Sequence, residues 1–150
     1  MADAVMPGPE VLANDAWESL LAAHAALMKR FAATDIWTDV SMREYDVLYT
    51  LSKCREPLRI GELNRHLLLS QPALSRLVDR LVERRLVERC ADPADGRSVR
   101  LSLTPSGRDV QRQIGRQHAR DVARAMTAVL NRDELRQLEM ICVKLAEEPQ

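Results

Sequence analysis

Apolar positions recur along the chain at helical spacing in several separate stretches, broken once by a region that alternates like strand. Trp17, Leu20, Leu21, His24, Leu27, Met28 and Phe31 fall three and four residues apart and predict a long first helix, Glu10 to Ala33. Ser41-Met42-Arg43-Glu44 has the form of a capping box and opens a second helix to about Lys53, with Tyr45, Leu48 and Leu51 inward. Pro57 keeps the backbone out of helix before the next element. Two short amphipathic segments follow, 60–67 and 70–85, meeting at a tight polar turn; in the second, Leu74, Leu77, Val78, Leu81 and Val82 make one apolar stripe. Residues 86–90 and 99–103 then read as two strands around the turn-rich run 91–98. Thr104 caps a further helix with Pro105 at its first position, running to about Leu130. Asn131-Arg132-Asp133-Glu134 starts a last helix whose stripe is Leu135, Leu138, Ile141, Cys142 and Leu145.

This order predicts a mainly α fold with a small β-hairpin wing. A winged helix-turn-helix module occupies about 41–104, and a helical region comes from both chain ends, about 10–34 and 105–147, within one domain spanning 1–150.

Composition changes the picture little. The 150 residues suffice for a core without staples. Lys+Arg and Asp+Glu balance at 22 each, so net charge is silent on nucleic acid, but residues 55–100 hold 10 basic and 7 acidic groups, a weak local excess. Nineteen of the basic residues are arginine, suited to forked contacts with phosphate or guanine; a genome rich in G and C gives the same bias. Cys54, Cys90 and Cys142 are widely spaced and fit a reducing cytoplasm, and with His24, His66 and His118 scattered no metal site is expected. Met1 to Pro9 lacks the basic start and apolar core of a signal peptide, and no apolar run reaches the ~20 residues of a membrane helix.

The apolar stripe of the 70–85 segment forces its other face outward. That face carries Gln71, Ser75, Arg76, Asp79, Arg80 and Glu83, with Ser70 as cap and Pro72 stiffening the first turn. Helix-turn-helix proteins place the N-terminal part of such a helix in the major groove, where glutamine pairs with adenine and arginine with guanine. In the hairpin, Asp92-Pro93-Ala94-Asp95-Gly96 leaves Arg97 near the tip, where an arginine can enter a narrow minor groove, and Asp95 is expected to hold its guanidinium. A surface hairpin with an ordinary salt bridge is the competing reading.

The run Leu69-Ser70-Gln71-Pro72-Ala73-Leu74-Ser75-Arg76-Leu77-Val78-Asp79-Arg80-Leu81, with Asp92-Pro93-Ala94-Asp95-Gly96-Arg97 and Leu103-Thr104-Pro105-Ser106-Gly107, resembles the MarR family of bacterial transcription regulators. The resemblance extends over roughly residues 10–147. It implies a homodimer built from terminal helices, two winged modules on a pseudo-palindromic operator, and, in many members, release by a small aromatic or carboxylate effector or by cysteine oxidation. It also implies major-groove contacts from Ser70, Gln71, Ser75 and Arg76 and a wing pair of Asp95 and Arg97. The departure is Arg85, where the family has glycine; a left-handed backbone there costs a non-glycine residue ~1 kcal/mol.

Three further features carry open alternatives. Arg108, Arg112, Arg116, Arg120 and Arg124 form a like-charge ladder that disfavours an isolated helix. It is a solvated face, an intersubunit partner for acids such as Asp15 and Glu18, or, through Arg112 or Arg116, the site of an effector carboxylate. His24 is either a core histidine with a backbone partner or a donor in an effector pocket walled by Met28, Trp37, Met42 and Tyr45. Cys54, between Lys53 and Arg55, is expected to be the exposed thiol, although the oxidation-sensing members of the family carry theirs near the start of the first helix.

The expected function is that of a cytoplasmic, dimeric, sequence-specific DNA-binding regulator, a repressor released by a small aromatic or carboxylate effector, with no cofactor. The alternative is a winged-helix dimer that serves as a protein-interaction module without sequence-specific DNA binding. No glycine-rich phosphate loop or nucleophile motif supports an enzyme.

Overall fold

The computed structural model of the chain describes residues 8–67 and 69–147; most of the N-terminal segment read above as free of a signal lies outside them. The elements in chain order are α1 (Pro9–Ala32), α2 (Met42–Lys53), β1 (Leu58–Arg59), α3 (Ile60–Asn64), α4 (Gln71–Glu83), β2 (Val87–Ala91), β3 (Val99–Leu103), α5 (Pro105–Thr127) and α6 (Arg132–Ala146). This is the mostly helical fold with a small antiparallel sheet that the pattern predicts. The capping boxes form as expected: at α2 the Ser41 N–H donates to Glu44 Oε2 at 2.8 Å and Ser41 Oγ accepts from the Glu44 N–H at 3.2 Å. At α6, Asn131 Oδ1 accepts from the N–H groups of Asp133 and Glu134 at 2.9 and 3.0 Å.

By their contacts the described residues divide into two compact units, one within 8–34 and 125–147 and one within 35–124. The second unit holds the core, in which Leu48, Leu63, Leu74 and Leu81 are fully buried among Val40, Tyr45, Val47, Leu51, Val78, Leu86, Val87, Leu101, Leu103 and Ile114. Nearly the whole predicted stripe of α4 is therefore inside, and the orientation of its outer face follows. In the first unit Phe31 is buried, but Trp17, Leu21, Met140, Ile141 and Leu145 are exposed in the single chain. His24, read as either a core histidine or a pocket donor, is exposed with them in the single chain.

The sheet has three strands in the order β1-β3-β2, all antiparallel. Val87 pairs with Leu103 and Ala91 with Val99 across the hairpin, while Leu58 and Arg59 pair with Leu101 and Arg100. The two-residue β1 has no periodicity of its own and went unpredicted; the free edge of β3 creates it.

The junction between α4 and the wing is tightly specified. Helix α4 ends in a Schellman motif, with the Arg85 N–H donating to the Val82 carbonyl and the Leu86 N–H to the Leu81 carbonyl, both at 2.9 Å. The motif needs a left-handed residue, and Arg85 supplies it at φ 58°. Leu81 and Leu86 are both buried, giving the hydrophobic contact that accompanies such ends. The start of α5 docks on the same place. The Thr104 hydroxyl donates to the Arg85 carbonyl at 2.6 Å and accepts from the Gly107 N–H at 3.0 Å. A Cβ on Gly107 would lie 1.9 Å from the Leu86 carbonyl oxygen, so only glycine permits this approach.

Candidate nucleic-acid interface

Helix α4 begins at an extended Ser70 whose Oγ accepts the Ala73 N–H at 3.3 Å, and Pro72 sits in its first turn. Gln71, Pro72 and Arg76 are exposed and Ser75 is half-buried beside them. Among the described residues, Gln71, Ser75 and Arg76 make no side-chain hydrogen bond or ion pair, so the polar groups at this end of the helix are free. Farther along, the charges are spent inside the chain. Asp79 pairs with Arg89 of β2, and Arg80 Nε lies 3.3 Å from Glu44 Oε1. Arg84 joins them, with Nη1 3.7 Å from Glu44 Oε2 and Nη2 donating to the Asp39 carbonyl at 2.5 Å. Glu44 thus caps α2 and holds Arg80 and Arg84, the arginines of the far half of the α4 face, in place. Its capping role is legible in sequence; its pairing with arginines some 36 residues away is not.

The wing is anchored by a carboxylate that sequence reading took only as turn chemistry. Asp92, 2% exposed, accepts from Arg59 Nε and Nη2 at 2.8 and 2.6 Å and from the Ala94 N–H at 3.0 Å. Arg100 Nε stands 3.1 Å from its other oxygen. The Ala94 N–H and the two guanidinium groups hold its carboxyl at about 2, well below the ordinary 3.8. One side chain therefore ties β1, β3 and the start of the turn together. Asp95 acts differently from expectation: Oδ1 accepts the backbone N–H of Arg97 at 3.1 Å and Oδ2 accepts the Ser98 hydroxyl at 3.0 Å. It shapes the loop backbone and does not grip the guanidinium of Arg97, which stays exposed and unpaired among the described residues.

The residues expected to line an effector pocket are divided between the two units. His24 and Met28 belong to the first unit and are exposed, whereas Trp37, Met42, Tyr45, Arg112 and Arg116 belong to the second. Tyr45 is 4% exposed and packs its ring against Trp37 at 5.6 Å and His118 at 5.6 Å, with Trp37 and His118 5.4 Å apart. Burial raises the Tyr45 phenol and lowers the His118 imidazole. His118 was missed as a partner of this cluster because its ring meets the others only through tertiary packing. Arg112 and Arg116 are exposed, Met42 half-buried. In the arginine ladder Arg124 meets Asp121 at 3.6 Å. Cys54 is half-buried, its backbone closing α2, and Cys142 is the exposed thiol, contrary to expectation. Among the described residues no group of three or more His, Cys, Asp or Glu could hold a metal ion, and no helix is long and apolar enough to cross a membrane.

A sequence model described as MarR family matches residues 38–98, the stretch from the start of α2 to the wing. The multiple antibiotic resistance protein MarR of Salmonella typhimurium is 30% identical over 107 residues, covering 71% of this chain and 74% of that protein. Among solved structures, a mutant MarR from Escherichia coli complexed with operator DNA superposes with TM-score 0.72 at 27% identity, covering 87% of this chain and 93% of that one. BpsR of Bordetella bronchiseptica, whose DNA binding is regulated by 6-hydroxynicotinic acid, shares the fold with TM-score 0.69 at 20% identity, over 91% and 99% of the two chains.

Proposed function

The chain belongs to the MarR family of transcriptional regulators, and from that membership we propose that it is a cytoplasmic homodimeric repressor of a pseudo-palindromic operator, released by a small aromatic or carboxylate effector. The observation that carries the DNA contact is the division of the α4 face, with Gln71, Ser75 and Arg76 free at the N-terminal end and Asp79 and Arg80 held by Arg89 and Glu44. A helix end of that kind, opened by Ser70 and Pro72, suits insertion in the major groove. Arg80 then stands as a fixed cation beside the groove. Arg97, at the tip of a wing locked by Asp92 and shaped by Asp95, meets the neighbouring minor groove. Two such modules read half-sites about one DNA turn, ~34 Å, apart. An effector that favours another spacing of the α4 helices shifts the population away from DNA. The carboxylate regulator of BpsR makes small aromatic acids the first compounds to screen, with His24, Met28, Trp37, Met42, Tyr45, Arg112 and Arg116 as the residues to vary.

Selection of bound duplexes from a random pool at near-physiological salt tests the reading. An inverted repeat with half-sites one turn apart is the expected product. Arg76→Ala is expected to lose ~1–3 kcal/mol on that site and relax preference at one position. Arg97→Ala is expected to weaken all sequences and flatten the salt dependence. Equal effects of the two changes on selected and random DNA contradict this division of labour, and steep salt dependence without any selected site favours a protein-interaction module.

A further inference from the structure

Beside the reading face lies an open cleft of about 220 Å³ between the first turn of α2 and α4, lined by Ser41, Arg43, Ala73, Arg76, Leu77 and Arg80. Three of its six residues are arginine. Arg43 is exposed and has no hydrogen bond or ion pair among the described residues. Arg80 is steered toward α2 by Glu44, which itself does not line the cleft. One carboxylate against three guanidinium groups leaves a surplus of two positive charges at this spot. Arg43 stands in the first turn of α2, where the N–H groups of the first two positions have no carbonyl four residues back within the helix. Ala73 and Leu77 give the cleft an apolar floor, and the charge of its three arginines favours an oxyanion.

Its position selects which one. The major groove of B-DNA is ~12 Å wide and a helix with side chains is ~10–12 Å across, so a helix seated there is flanked closely by the sugar–phosphate strands. The cleft is on the flank of α4, adjoining Arg76, and whatever lies there meets a strand. We propose that Arg43, with the first turn of α2 and the Glu44-held Arg80, clamps one phosphodiester of the operator strand in each half-site, making α2 a contact element of the DNA interface. This rests on the DNA-binding reading above and extends it to a residue and an element outside the helix-turn-helix pair and the wing. The contact fixes depth and register of α4 and carries no sequence information of its own.

The test compares wild type, Arg43→Ala, Arg43→Lys and Arg55→Ala as dimers on the selected operator and on a random duplex across a salt series. Arg55 is exposed at the opposite end of α2 and controls for the loss of one positive charge. Arg43→Ala is expected to weaken both duplexes by a similar factor, of order tenfold, lower the salt slope by about one, and leave base preference unchanged. Arg43→Lys restores the slope. Ethylation interference is expected to show one phosphate per half-site whose modification inhibits the wild type and no longer affects Arg43→Ala. Undiminished affinity and slope in Arg43→Ala, or a loss equal to that of Arg55→Ala, overturns the clamp while leaving the wild-type operator selection intact. A wild type that binds no duplex overturns the DNA reading and the clamp together.

Discussion

Arg85 is the residue at which local preference and tertiary need are opposed. A left-handed backbone costs an L side chain ~1 kcal/mol, yet the Schellman end of α4, on whose Arg85 carbonyl the Thr104 hydroxyl docks, requires φ near the observed 58°. The strain is held because Leu81 and Leu86 are buried on either side of it. Arg85→Gly is therefore expected to raise unfolding stability by no more than ~0.5 kcal/mol, because the freedom glycine adds to the unfolded chain offsets half or more of the strain it relieves. Denaturant unfolding measures it. A loss of stability would mean that the exposed guanidinium contributes more than the backbone strain costs.

Among elements, the wing depends most on one group. Its two strands pair over five residues each and are supported at the base by β1 and by Val87, Leu101 and Leu103 in the core, whereas Ala91 and Val99 next to the turn are exposed. Asp92 supplies the support there by joining Arg59, Arg100 and the Ala94 N–H. Because the folded state depresses its carboxyl from the ordinary 3.8 to about 2, the stabilisation is complete above the unfolded value and is lost as pH falls through the folded one. The stability difference between wild type and Asp92→Asn is thus expected to be constant above pH ~4 and to shrink toward pH 2. A difference independent of pH across that window would assign Asp92 a role other than the charged lock. At neutral pH the same variant is expected to exchange its amides over 91–99 faster, with the helices unaffected.

At the scale of the molecule, one unit has its apolar surface inside and the other does not. Val11, Leu12, Trp17, Leu21, Met140, Ile141, Val143 and Leu145 on α1 and α6 each leave about half or more of their surface in water in the single chain. Exposed apolar area on this scale marks an association surface, and the proposed dimer gives it one. Arg108, Arg112, Arg116 and Arg120 are likewise exposed, as are Asp15 and Glu18, so a second copy has charges as well as apolar groups to meet. Ile141→Glu with Leu145→Glu is expected to sediment as a monomer and to lose on the order of 100-fold in operator affinity, since two linked modules bind with an effective concentration that one lacks. A double variant that stays dimeric would move the interface away from α6.

Local and nearly local physics made much of this protein readable in advance. The capping boxes at Ser41 and Asn131, the stripe of α4, the Thr104–Pro105 start of α5 and the strands about 91–98 each depend on residues within a few positions of one another, and each is found where the pattern puts it. The outward face of α4 was legible for the same reason: burying Leu74, Leu77, Val78 and Leu81 leaves Gln71 and Arg76 no other direction. What sequence could not hold are the partners separated by tens of residues. Glu44 meeting Arg80, Asp92 meeting Arg59, β1 forming only on the edge of β3, and Arg43 arriving beside α4 depend on how elements pack, and a side chain's charge does not say which distant charge will reach it. Sequence determined the elements other than β1 and the face that looks out, because these depend on near neighbours; packing alone decided which of that face's charges are already held and which remain free.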